Sequence, residues 1–219
     1  MRLVAGGAAE AELARRDPVM AALVARHGPC PLAAGEVVAT GHFERLARTI
    51  ASQQLAGRAA AAIWSRVRAL VPGDLDAGAV LALDPAELRS AGLSGAKTRA
   101  LLALAARVAD GSLDLEAVTH LDDEAVVGVL AQSPGIGPWT AQMFLIFQLG
   151  RPDVWPVTDL GVRRGYARAW QLEAVPSPTV LEAAGERFRP WRSIVAWYCW
   201  RAVDVPPPAP DVSPLPTGR

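Results

Sequence analysis

Apolar residues recur three and four positions apart along almost the whole chain, and this spacing limits the fold more than any other feature of the sequence. Phe43, Leu46, Ala47 and Ile50 share one helical face, and Ala59, Ile63, Val67 and Leu70 share another after a break near Gln53 to Gly57. Asp84, Pro85 and Glu87 read as an N-cap, a first-turn proline and a capping-box partner. Ser94 opens the helix of Leu101, Leu104 and Val108, which Gly111 closes, and Asp122 opens another through Val126, Val129 and Leu130. Strand-like alternation is confined to the short stretch Val37 to Thr40, so the pattern predicts an all-α fold.

With 51% of its 219 residues apolar, the chain can bury the core of one large domain or of two small lobes around a cleft. Its longest apolar stretch, Ala100 to Ala106, stops at Arg107, far short of the roughly 20 residues a membrane span needs. Met1 to Gly7 carry no apolar signal segment, so a soluble, cytoplasmic protein with no membrane partner is expected. Two cysteines, Cys30 and Cys199, exclude a disulfide framework and a four-cysteine iron-sulfur cluster. His27, His42 and His120 lack ligand spacing, so no transition metal is expected. A formal net charge of zero argues against a protein that coats nucleic acid electrostatically. Lys97 is the sole lysine beside 21 arginines, which offer bidentate phosphate contacts or simply reflect genome base composition.

The densest local signal follows Leu130, where Ser133, Pro134, Gly135, Ile136, Gly137 and Pro138 make a tight turn. Pro138 suits the first position of a helix whose apolar residues Phe144, Leu145 and Phe147 run to Gly150, completing a helix, hairpin, helix unit. The glycines can adopt backbone conformations closed to other residues, and they leave no side chain between their amides and a ligand. The N–H groups of the next helix face the same anion, with Thr140 as a hydroxyl donor and Ile136 as an inward anchor, so one phosphate fits. An ordinary interhelical turn would carry the same glycines for geometry alone. After the loop Arg151 to Pro156, Thr158 or Asp159 can cap a helix to Trp170, and two more helices start near Pro178 and Pro190. From Pro206 to Arg219 the chain is Pro-rich without periodicity and reads as disordered.

Five segments extend this reading: Ile50 to Ala60, Leu93 to Ala100, Pro134 to Ala141, Asp153 to Asp159 and Pro190 to Ser193. In that order they resemble the helix-hairpin-helix (HhH-GPD) DNA glycosylase superfamily, and within it the bacterial 3-methyladenine DNA glycosylase II family. The resemblance implies a two-lobed all-α fold with the active site in the cleft between lobes. Residues 41–150 would form a central helical domain ending in the hairpin unit. Residues 1–40 and 151–205 would form a second lobe carrying Asp159, with 206–219 as the tail. It also implies damaged double-stranded DNA as the partner of a monomer, and a possible Na+ or K+ ion at the hairpin, held by Ser133 and the Gly135 backbone. Longer family members carry an N-terminal β domain for which the residues before Gly41 leave no room.

Breaking an N-glycosidic bond leaves positive charge on the sugar, so the chemistry needs a fixed anion beside C1′. In the resembled family the aspartate closing the loop after the hairpin helix has that role, and here it is Asp159. A purely capping Asp159 is the alternative, and the two roles are compatible. Glycosylases that also nick the strand place a lysine in the helix after the hairpin, whereas this chain has Trp139, and Lys97 lies elsewhere; a monofunctional enzyme is therefore expected. Leu55 is the candidate wedge with Gln54 beside it, although a leucine buried at a turn would read the same. Trp139, Met143 and Trp200 match pocket positions, where a ring can stack on a cationic base such as 3-methyladenine or 7-methylguanine. Trp64, Trp155, Trp170, Trp191 and Trp197 are assigned to the core. Arg163, Arg164 and Arg168 can meet flanking phosphates or form a solvated face. Two other readings stand beside this one: a non-catalytic DNA clamp, and a glycosylase for oxidised or deaminated bases.

Overall fold

The computed structural model describes residues 7–32, 41–55 and 57–204, and among them every regular element is helical. In chain order these are α1 (Ala8–Arg16), α2 (Pro18–His27), α3 (His42–Ser52), α4 (Gly57–Ala69), α5 (Ala77–Leu81), α6 (Pro85–Ser90) and α7 (Gly95–Ala109). There follow α8 (Leu115–Val118), α9 (Asp123–Leu130), α10 (Pro138–Phe147), α11 (Leu160–Ala169), α12 (Pro178–Gly185) and α13 (Arg192–Asp204). The Val37 to Thr40 stretch and the Pro-rich tail from Pro206 lie outside the described residues. No helix among the described residues is long and apolar enough to cross a membrane.

The starts of these helices follow from short side-chain acceptors that satisfy otherwise unpaired N–H groups. Asp84 and Glu87 form a reciprocal capping box on α6, while Ser94, Asp122 and Asp159 accept from the first turns of α7, α9 and α11. Three local expectations shift. On α4 the buried face runs through Trp64 and Val67 to Val71, and Ala59 is exposed. Helix α10 ends at Phe147 rather than Gly150, because Leu149 N–H turns back to the Phe144 carbonyl at 3.1 Å and Gly150 takes φ +62°. The last helix begins at Arg192, two residues beyond Pro190, since Trp191 N–H closes a turn on the Phe188 carbonyl at 2.8 Å. Helices α5 and α8 carry no apolar signal in the sequence, as five and four residues are too few to show a period.

Packing falls into two neighbouring sets. Helix α3 lies against α4, α7 and α10, with Leu46, Ile50, Leu101, Leu104 and Phe144 sealed from water between them. Helix α13 lies against α11 and α2, and α2 against α1. The α11–α13 approach is so close that a Cβ at Gly165 would overlap the Cys199 carbonyl. Buried Glu10 ties α1 into this second set, its Oε1 accepting from the Cys30 N–H at 2.6 Å and lying 3.0 Å from the Tyr198 hydroxyl. Cys30 and Cys199 are both buried, and burial, then the charge of Asp159, pushes the Cys199 thiol pKa well up.

Candidate active site

The hairpin between α9 and α10 puts its glycines to different uses. Gly135 takes φ +80°, and a Cβ there would stand 2.5 Å from that of Ala100 on α7, so both the backbone and the packing demand glycine. Gly137 has ordinary extended angles, φ −90° and ψ 174°, and open space where a Cβ would be. The expectation of a special conformation at both glycines is thus corrected: nothing inside the fold requires glycine at Gly137, and its bare backbone faces outward just before the first turn of α10. Ile136 is buried and anchors the turn as expected. Thr140 points inward instead of toward solvent; its Oγ1 accepts from Gln53 Nε2 at 3.1 Å, and the same amide donates to the Gly135 carbonyl at 2.9 Å. Gln53 therefore sews the end of α3 to the hairpin.

Three donors converge on the carboxylate of Asp159. Oδ2 accepts from the Trp139 indole N–H at 2.7 Å; Oδ1 accepts from the Trp200 indole N–H at 3.0 Å and from the Val162 N–H at 2.8 Å. The carboxylate is thus at once the N-cap of α11 and the meeting point of α10 and α13. Space for the Trp200 ring exists because residue 161 is glycine: a Cβ there would lie 2.9 Å from Trp200 Cδ1 and 3.0 Å from Asp159 Oδ1. A carboxylate has about four acceptor positions, so three donors leave one, on Oδ2. Behind it, the loop is fixed by Arg192, whose Nε and Nη2 grip the two oxygens of Asp153 at 2.8 and 3.1 Å. Ser193 adds two bonds, accepting from Val154 N–H at 2.9 Å and donating to the Arg151 carbonyl at 2.7 Å.

Beside the carboxylate opens a groove of about 480 Å³, lined by Arg45 and Arg48 of α3, Gln54 and Leu55 of the following turn, and Trp139, Met143 and Phe147 of α10. Gln54 sits at the tip with φ +55°, a conformation that non-glycine residues adopt mainly where the surroundings compel it, and Leu55 beside it is 37% exposed. Trp200 stands against Phe147 with ring centres 5.5 Å apart, so the groove and the carboxylate share an aromatic wall.

A match to the HhH-GPD superfamily of base excision DNA repair proteins covers residues 47–190, which contain the hairpin, the turn at Gln54 and the carboxylate. The chain belongs to that superfamily. Relatives of this HhH-GPD protein include DNA-3-methyladenine glycosylase 1 of Schizosaccharomyces pombe, 33% identical over 73% of this chain and 71% of the relative. In three dimensions it is similar to the S. pombe 3-methyladenine DNA glycosylase solved in complex with abasic DNA, with a TM-score of 0.82 and 30% identity over 91% of this chain and 98% of that one. It is similar also to a DNA-3-methyladenine glycosidase of Bacillus halodurans, with a TM-score of 0.76 and 29% identity over 92% of each chain.

The HhH-GPD chain brings together most of the residues singled out from its sequence. Asp159, Trp139 and Trp200 meet directly, while Gln54, Leu55 and Met143 line the adjoining groove. The two tryptophans contribute more than ring faces, because their N–H groups are spent on Asp159. Of the arginines after Asp159, Arg163 donates to the Pro176 carbonyl at 2.8 Å and Arg168 leans on that of Val203 at 3.4 Å, which leaves Arg164 exposed. Lys97 is spent as well, its Nζ donating to the carbonyls of Ala51 and Gln53 at 2.9 and 2.7 Å, far in role from a nucleophile. Gln53, Arg45, Arg48 and Arg107 were missed. Gln53 lay inside a matching segment, but the arginines offered no signal beyond their charge.

Proposed function

We propose that this HhH-GPD protein is a monofunctional DNA glycosylase of the 3-methyladenine II type, which extrudes an alkylated base from duplex DNA and hydrolyses its N-glycosidic bond. The reading rests on the Asp159 carboxylate, fixed by three donors beside a groove with an aromatic wall and a hairpin of exposed amides. Extrusion costs a few kcal/mol of stacking, and Gln54 or Leu55 at the exposed turn is placed to fill the gap left in the stack. As the bond between C1′ and the base breaks, the electron pair leaves with the base and positive charge grows on the sugar ring. Asp159 faces that charge, and a water held at the free position on Oδ2 adds its oxygen to C1′ while its proton passes to that carboxylate oxygen and then to solvent. An alkylated, cationic base departs without a strong general acid.

The names of the relatives point to the same substrates. Lys97, the sole lysine, is held by two carbonyls of another segment, which supports hydrolysis without strand cleavage. A monovalent cation at the hairpin would add positive charge beside a bound phosphate. Ser133 Oγ accepts from the Arg107 guanidinium, whose positive charge opposes a cation at that hydroxyl. The Ser133 and Gly135 carbonyls each accept one bond, from Ile136 N–H and Gln53, and keep a lone pair, so these residues fit an ion through backbone oxygens alone.

Incubation with a duplex treated with a methylating agent tests the reading. Free alkylated base with an intact strand carrying an abasic site is the expected product. Binding without release would make the protein a clamp, and spontaneous strand nicking would contradict monofunctional hydrolysis.

A further inference from the structure

Arg45 is out of keeping with its place. It lies one turn before Arg48 on α3, half-buried, with its guanidinium carbon 5.8 Å from the centre of the Phe147 ring in the groove wall. Among the described residues its guanidinium has neither a hydrogen bond nor an ion pair, and the adjacent acid, Glu44, is already paired with Arg68 at 3.4 Å. Burial, and after it the charge of Arg48, pushes its pKa down, as expected of a cation that lacks an acceptor. Its donors face the groove with no protein acceptor among the described residues, so an acceptor carried by a ligand there would replace solvent at a half-buried cation, where a charge-assisted hydrogen bond is stronger than in bulk water.

Neighbouring contacts suggest what that is. From Asp159 a line of contacts runs 3.0 Å to the Trp200 indole, 5.5 Å on to Phe147 and 5.8 Å on to Arg45. An extruded nucleotide must hold its sugar at the carboxylate, so a purine lying along this wall carries its six-membered ring toward Arg45. A guanidinium offers donors only, so it bonds a carbonyl oxygen at position 6 and opposes an amino group there. Resting on the glycosylase reading above, we propose that Arg45 is a specificity-determining residue that reads the far edge of the extruded purine and favours 6-keto over 6-amino alkylated bases.

The test compares 7-methylguanine and 3-methyladenine released from one methylated duplex. Both bases are cationic while in the duplex, and their other differences, the 2-amino group and the site of methylation, are the same for parent and variant, so the change in the ratio between proteins is what reads Arg45. Arg45→Leu should lower the ratio of 7-methylguanine to 3-methyladenine release by about tenfold or more, while Arg45→Gln, which keeps an N–H donor, should lower it less. Unchanged melting temperatures would show that both variants fold. An unchanged ratio, or an equal fall in both bases, would overturn the proposal. So would a salt dependence of undamaged-duplex binding whose slope drops by about one in Arg45→Leu, since that marks a phosphate contact. Release of neither base by the unaltered protein would remove the glycosylase reading itself, and this inference with it.

Discussion

At Asp159 the chemistry depends on which donors can reach two oxygens, and Gly161 decides that for one of them. Adding a methyl group in Gly161→Ala would drive the Trp200 indole off Oδ1, since the new Cβ would stand 2.9 Å from that ring. Trp200→Phe removes the same N–H without crowding. A hydrogen bond to a charged group is worth about 1.5–3 kcal/mol, so each variant should lower single-turnover base release by about ten- to a hundredfold, with duplex affinity nearly unchanged. Equal activity in Trp200→Phe would mean that the indole serves only as a ring face. A cap at Thr158 or Asp159 is legible in the sequence because it acts within four residues, and the catalytic role of Asp159 is what the family resemblance implies. The clamp is not legible there, because Trp139 and Trp200 lie 20 and 41 residues away and only the fold brings them together. The bond from Arg163 Nε to the Pro176 carbonyl, 13 residues on, is likewise invisible in the sequence, which offers for Arg163 only a phosphate contact or a solvated face.

Among the elements, the hairpin joining α9 and α10 separates what the fold needs from what a ligand needs. Gly135→Ala should destabilise the protein, because a left-handed backbone costs about 1–2 kcal/mol for a residue with a Cβ and the new methyl would meet Ala100 at 2.5 Å. Gly137→Asp meets no such obstacle and should melt like the parent, yet bind every duplex more weakly, damaged or not, by placing an anion at the phosphate seat. Paired melting curves and binding isotherms check both; a Gly137→Asp protein with altered lesion preference and full affinity for undamaged DNA would contradict the hairpin's assigned use. Helix starts were legible here because Pro138 and the short caps act within four residues. The end of α10 and the start of α13 are not, since backbone turns at Leu149 and Trp191, unmarked by side-chain pattern, set them.

Over the whole molecule, the two sets of helices meet at the carboxylate, so anything that loosens α13 reaches the site. Tyr198 on α13 secures α1 through the buried Glu10 carboxylate. Tyr198→Phe should cost about 1–3 kcal/mol, and at about 2–4 °C per kcal/mol for a chain of this size a fall in Tm of several degrees should be measurable; an unaltered Tm would show that the hydroxyl contributes nothing net. The all-helical class was legible throughout because the apolar period repeats in nearly every segment. Single-turnover release of alkylated base from a methylated duplex by Asp159→Asn tests the role of the carboxylate most directly. Loss of release with duplex binding retained is predicted, and turnover at the parent rate would contradict the role of the carboxylate.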